Sequence, residues 1–465
     1  MRSKSTIVVF FFATLFYANC VLASIRSEDS HFGFTQIFTT LTDGTTTCVL
    51  DSYTTLAATN AGWVRPHPGP AVWGKIQTSP ASLPSGYHWS DLDGEVTTAQ
   101  DNGFNILLTV FPYADWDQVS CNSTLLSLGI TFDPSFMDIL MNYRQNPCNS
   151  TSYGYFLGNL VERYDYDSAG DMPGLQGPIA YYEVNNEPSI QSASTSNSEF
   201  FYYGDASQYA AQLIYSYNAL NGAGVNVLNG GTYSIDSHVQ TYWDDVLNAY
   251  SADGYFDIFS YHKITGTDAD PDSEIPAVKT FLSTYSSSYN TSAYPIWETE
   301  LEFSRDDYKT TSGGTVTYPT ADEAASIVLE VYAQTFSAGA EKIFMAGPEY
   351  DQSYDLCGIV SPSYTNPFAM IDTLGTETEV FTAFSTMVAK IDFFTAVTEA
   401  YDVYEFTVGG NPVYLVPRSV DPTSALSSAG YSGTDTVTVT DQDGTVTTGA
   451  LWDTLGTTNY VRFIE

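Results

Sequence analysis

Basic side chains are scarce in this chain: 15 Lys and Arg stand against 54 Asp and Glu, a net formal charge of −39. Such a surface repels polyanions, which excludes nucleic acid and anionic membrane surfaces as partners. Cysteine is sparse too, with five in 465 residues and no Cys-x-x-Cys pair, so no metal site is expected. Beyond the opening stretch no run of eighteen apolar residues occurs, and no membrane span is expected. Charged residues make up only 15% of the chain and hydrophobic ones 43%, which excludes a disordered acidic tail and leaves material for a large core.

At the start, Arg2 and Lys4 precede an apolar run from Ile7 to Tyr17 and small residues at Val21 and Ala23, the layout of a secretory signal. Residues 1–23 are therefore read as a signal peptide and the mature protein as secreted, extracellular. Cys20 would be a lipid-attachment cysteine only if a small residue preceded it, and Asn19 does. The other four, Cys48, Cys121, Cys148 and Cys357, allow three pairings in an oxidising compartment. Cys121 lies ahead of a polar insertion containing Cys148 and Asn149, which a Cys121–Cys148 bridge would staple. Cys48 and Cys357 follow the first and last strands read below, whose loops would meet and could be bridged. Sequons at Asn122, Asn149 and Asn290 suit a glycoprotein.

From His31 onward, short apolar runs alternate with helical patterns for eight rounds, which predicts an α/β fold, a (β/α)8 TIM barrel over residues 24–391. The strands are expected at 32–38, 62–66, 105–111, 179–184, 225–228, 256–261, 294–299 and 342–346. Thr320 and Glu323 form a capping box ahead of a helix ending near Gly339. After Ile391 the helical period stops, and alternating runs with Gly, Asp and Asn turns predict a small antiparallel β-sandwich-like domain over residues 392–465.

Barrel active sites lie at the C-terminal ends of the strands. Two segments place acids there. In YYEVNNEP, Tyr181 to Pro188, the proline stops strand four at Glu187. In PIWETELEF, Pro295 to Phe303, Glu298, Glu300 and Glu302 recur at every second position and are expected to share one face. Two carboxyls about 5 Å apart across a barrel mouth are what retaining cleavage of a glycosidic bond requires. Glu183 and Glu298, one pleat deeper, must be hydrogen-bonded or paired if buried.

Asn-Glu-Pro ending strand four, together with Trp-Glu-Thr-Glu ending strand seven, resembles clan A of the retaining glycoside hydrolases. The trailing β domain extends the likeness to the family 39 xylosidases, over essentially the whole chain. The resemblance implies Glu187 as acid/base, Glu300 as nucleophile with Glu302 its rival, Asn186 at the sugar 2-hydroxyl, Arg65 beside the nucleophile and His262 in the substrate site. Glu183 would support these groups. Trp63 and His67, near Trp73, are further substrate-binding candidates because aromatic faces stack on sugars. The clan's tryptophan ending strand eight is absent; Tyr350 is the candidate to replace it as the floor. The expected activity is O-glycosyl hydrolysis of oligo- or polysaccharides with no cofactor. The alternatives are a catalytically silent glycan-binding barrel and a transglycosylase using the same site.

Overall fold

Each of the eight expected apolar runs is a strand, and a helix follows each. The computed structural model describes residues 24–37, 40–42, 47–49, 52–67, 69–80, 86–121, 144–190, 202–265, 271–284, 294–312, 315–348, 366–371, 376–451 and 460–465. The strands are β1 (Phe32–Thr35), β2 (Trp63–Arg65), β3 (Asn105–Val110), β4 (Tyr181–Val184), β5 (Asn226–Leu228), β6 (Phe259–Thr265), β7 (Ile296–Phe303) and β8 (Lys342–Ala346). The helices are α1 (Ser52–Ala57), α2 (Ser90–Asp101), α3 (Ser150–Tyr164), α4 (Ala206–Asn221), α5 (Ser237–Asp244), α6 (Pro271–Leu282), α7 (Ala321–Ala338) and α8 (Glu379–Ile391).

The strands hydrogen-bond in the order β5-β4-β3-β2-β1-β8-β7-β6, all parallel. Parallel bridges Leu228 to Ile258 and Thr232 to Tyr261 join the two ends, so the sheet closes into a barrel. The capping box of Thr320 and Glu323 opens α7, and Gly339, at φ 104°, ends it in the left-handed conformation. β6 and β7 run beyond their expected ends, because Leu301 and Phe303 continue the outward apolar face and Phe303 stacks on Phe368.

Low in the barrel, Trp63, Leu107, Leu228, Ile258, Trp297 and Phe344 fill the interior. A Cβ on Gly33 would lie 2.6 Å from the Phe344 ring, so glycine is needed there. Lys342 closes this end, its ammonium 4.8 Å and 5.1 Å from the Trp63 and Trp297 rings and donating to the carbonyls of Glu28 and Ser30.

The C-terminal domain is a six-stranded antiparallel sheet of β9 (Phe394–Ala400), β10 (Val403–Val408), β11 (Asn411–Val416), β12 (Thr436–Asp441), β13 (Val446–Ala450) and β14 (Arg462–Ile464), ordered β9-β10-β11-β14-β12-β13. Tyr401–Asp402 and Gly409–Gly410, all at positive φ, form its two-residue hairpin turns. One face, with Phe394, Phe406, Leu415 and Phe463, joins the barrel core; the other packs Val416, Val439 and Ile464 on a short helix, α9 (Thr423–Ser428). The expected sandwich is thus, among the described residues, one sheet between the barrel's helices and α9.

Cys121 and Cys148 are disulfide-bonded, with Cα atoms 5.9 Å apart, and the Asp117 carboxylate accepts from the backbone N–H groups of Cys148 and Asn149. Residues 1–23, Cys357 with the pairing proposed for it, Asn122, Asn290 and Tyr350 lie outside the described residues. No described helix is long and apolar enough to cross a membrane.

Candidate active site

Glu183, fully buried on β4, organises the mouth. Its Oε2 meets Arg65 Nε at 2.8 Å and Nη2 at 2.6 Å and accepts from Thr109 Oγ1 at 2.8 Å. Its Oε1 accepts from Ser260 Oγ at 2.7 Å and Thr299 Oγ1 at 3.1 Å. Donors from β2, β3, β6 and β7 therefore converge on one carboxylate, which compensates the burial of its charge. Arg65, also fully buried, spends its other contacts on Asn186 Oδ1 (2.5 Å), Thr35 Oγ1 (3.2 Å) and Glu300 Oε2 (3.2 Å).

Past Val184 the chain turns sharply. Asn185 and Glu187 have φ of 74° and 42°, left-handed values that are uncommon outside glycine and mark functional sites when the surroundings enforce them. Enforcement is visible at Asn185, whose Oδ1 accepts from the Tyr113 hydroxyl at 2.7 Å and from the backbone N–H of Asn186 at 2.8 Å. The turn carries Glu187 to the rim, where it is 8% exposed, as is Glu300, while Arg65, Glu183, Asn186 and His262 are at most 1% exposed. The two carboxyls are thus the charged groups of this set that an incoming molecule can touch.

Glu300 reaches the mouth through a β-bulge. Along β7, Trp297 and Thr299 point inward, but register against β6 jumps from Tyr261–Glu298 to His262–Glu300, and the partner β8 skips likewise. The extra residue lets Thr299 and Glu300 both face inward. It also overturns the expectation that Glu298, Glu300 and Glu302 share one face. Glu298 points outward, beside Lys263, Glu274 and Tyr332, and neither of its oxygens has a hydrogen-bond partner among the described residues. Glu302 lies opposite Ile264, further along β7, and the ion pair from Arg65 goes to Glu300.

His262 links the two carboxyls. Its Nδ1 is 2.9 Å from Glu187 Oε1 and 3.7 Å from Glu300 Oε2, and its Nε2 is 3.0 Å from Thr299 Oγ1. Thr299 Oγ1 also lies 3.1 Å from Glu183 Oε1 and 2.6 Å from Ser260 Oγ, so a chain of hydroxyls joins the imidazole to Glu183. The imidazole thereby connects Glu187 to the carboxylate beneath it. Gly231, at φ 55°, lies so close that a Cβ would fall 2.2 Å from His262 Nε2.

Burial raises the Glu300 carboxyl above its usual range; His262 opposes this, Glu187 adds to it, Arg65 opposes it and Glu183 adds to it. Burial, then Arg65 and His262, hold His67 well below the usual imidazole range, so it is neutral. Donor atoms of Glu187, His262 and Glu300 all lie within 4.8 Å of one another. That spacing would also suit a divalent cation, but Arg65 already supplies the positive charge here.

The structure gathers Glu187, Glu300, Asn186, Arg65, His262 and His67 at one end of the barrel. Trp63 is corrected: it lies on the inner face of β2 but one pleat below Arg65, within the barrel's packed interior, its Nε1 donating to the Ser30 carbonyl. Trp73 packs outside the mouth against Trp116, Tyr153 and Phe156. Gln36, Thr35, Thr109, Ser260, Thr299 and Tyr113 were not foreseen. Neither was half-buried Tyr233, whose phenol is pushed up by burial, then by Asp236 and Glu187.

No protein-family model matches the chain, and no curated protein matches it. Solved structures do match. A family 39 glycoside hydrolase from Bacteroides cellulosilyticus WH2 superposes with a TM-score of 0.56 at 11% identity, covering 95% of this chain and 82% of that one. A glucosidase from Croceicoccus marinus gives 0.55 at 14% identity, covering 86% and 77%. The catalytic domain of GH30 xylanase C from Talaromyces cellulolyticus gives 0.51 at 14%, covering 95% and 97%. The fold is a (β/α)8 barrel with a C-terminal β domain, shared with these solved structures.

Proposed function

We propose that the protein is a secreted O-glycosidase that cleaves oligo- or polysaccharides with retention, Glu300 acting as nucleophile and Glu187 as acid/base. The observation that carries this reading is the spacing at the rim. Retaining pairs stand about 5 to 5.5 Å apart and inverting pairs about 6.5 to 9.5 Å; oxygens of Glu187 and Glu300 lie within 4.8 Å.

The division of roles follows from the donors each carboxyl receives. Glu300 accepts from Arg65 and Gln36, which favours its charged form. Glu187 pairs instead with the imidazole of His262. The proton-donating role therefore falls to Glu187, the carboxyl that lacks the Arg65 and Gln36 donors. As Glu300 attacks the anomeric carbon, Glu187 protonates the departing oxygen, leaving a glycosyl ester on Glu300. Glu187, now a carboxylate, takes a proton from water, which attacks the anomeric carbon and releases Glu300. Asn186, pinned through Oδ1, turns its amide NH2 to the sugar 2-hydroxyl, and His262 and His67 offer further polar contacts. Tyr350 is the proposed aromatic floor. No step in this cycle calls for a cofactor.

The solved neighbours, which include a glucosidase and a xylanase, support carbohydrate as the substrate class. The Cys121–Cys148 disulfide supports an oxidising, extracellular destination. The test is proton NMR of the first sugar released from a panel of aryl α- and β-glycosides. We expect the anomer of the substrate. First release of the opposite anomer overturns retention, and absence of turnover on every glycoside overturns the glycosidase reading.

A further inference from the structure

Gln36 touches the proposed nucleophile from a side that neither Arg65 nor His262 occupies. Its Nε2 donates to Glu300 Oε1 at 2.6 Å, whereas Arg65 Nη1 donates to Oε2 at 3.2 Å. Each oxygen of Glu300 thus has its own donor, one from the end of β1 and one from the end of β2. A carboxylate gripped at both oxygens has a fixed rotamer, and both bonds strengthen with its negative charge.

The backbone is bent to make this contact. Along β1, Gly33 faces the interior near Phe344, Phe34 faces outward to Phe104 and Phe384, and Thr35 faces inward to Arg65. Regular alternation would send Gln36 outward, away from the mouth. Instead Gln36 has φ of 57°, a left-handed value that a long side chain seldom adopts, and two consecutive residues, Thr35 and Gln36, serve the site.

We infer that Gln36 is a positioning residue for the nucleophile, orienting Glu300 and favouring its charged form; this rests on the reading of Glu300 as nucleophile. The amide donates to the attacking carboxylate before the sugar is bound. It donates again to the carboxylate that forms when the glycosyl ester is cleaved, so both halves of the cycle depend on it. Burial works against the charge on Glu300, and loss of a donor leaves that opposition less balanced.

The test uses Gln36→Ala and Gln36→Met, the second keeping the side-chain length while removing the donor. A charge-assisted hydrogen bond of this kind predicts a fall in kcat/KM of roughly 10- to 100-fold, with the acidic limb of its pH profile moved upward by about one unit. Melting temperatures of both variants show whether the fold persists. Carbon-13 NMR of glutamate carboxyls, with Glu300→Gln identifying the Glu300 signal, reads the same titration without turnover, and we expect it to move upward in both variants. If the wild type hydrolyses nothing, the nucleophile reading fails while the NMR titration still decides whether Gln36 supports the charge of Glu300. An acidic limb and a titration that stay at their wild-type positions overturn the inference, even if activity falls.

Discussion

Glu183 in the mouth of the barrel and Glu298 behind β7 are both fully buried, and their surroundings are opposite. Glu183 receives Arg65 and three hydroxyls. Glu298 receives no hydrogen bond from a described residue, and burial pushes its carboxyl up to about 8, with Lys263 pulling down and Glu274 adding to the rise. Lys263 is nearby, but its Nζ is 3.2 Å from Glu274, which also accepts from the Tyr261 hydroxyl. The two regions show how this barrel handles buried acid: charge is held where donors from several strands converge, and lost where regular strand alternation turns a side chain toward the helices. The bulge that brings Glu300 inward leaves Glu298 outward on the same strand.

The largest expected effect removes the charge partner of Glu183. Arg65→Met leaves that carboxylate buried without its cation, and urea unfolding should show a loss of roughly 3 to 5 kcal/mol. A loss under about 1 kcal/mol would mean that the hydroxyls alone hold Glu183, and the contrast with Glu298 would collapse. The opposite sign is expected behind β7. The folded-state pKa of Glu298, about 8, lies above its unfolded value, so its contribution to stability is lost as pH rises from the unfolded value through about 8. Glu298→Gln should therefore raise stability at pH 8 by on the order of 2 to 4 kcal/mol and change it little near pH 4. Equal stability of the two proteins at pH 8 would indicate that Lys263 turns to Glu298 in solution.

Much of this was legible. The eight strands are short apolar runs punctuated by helix signals, and Glu187 stands out because Pro188 stops its strand. Arg65 stands out because the chain has so few basic residues. What escaped has physical causes. Thr35, Thr109, Ser260 and Thr299 carry no signal in a chain rich in hydroxyls. Gln36, Thr299 with Glu300, and the Asn185–Glu187 turn all break the two-residue alternation on which inward faces are predicted, through left-handed residues or a bulge. Trp63 was legible and misread: two residues before Arg65 on a strand that ends at the mouth, it belongs to the packed interior below.

The most direct test of the central claim is azide rescue of Glu187→Gln and Glu300→Gln on an activated aryl glycoside that the wild type cleaves. The account predicts that both variants lose activity, that azide restores Glu187→Gln with a glycosyl azide of retained configuration, and that it restores Glu300→Gln with one of inverted configuration. Wild-type turnover by Glu300→Gln, or an inverted azide from Glu187→Gln, would contradict it.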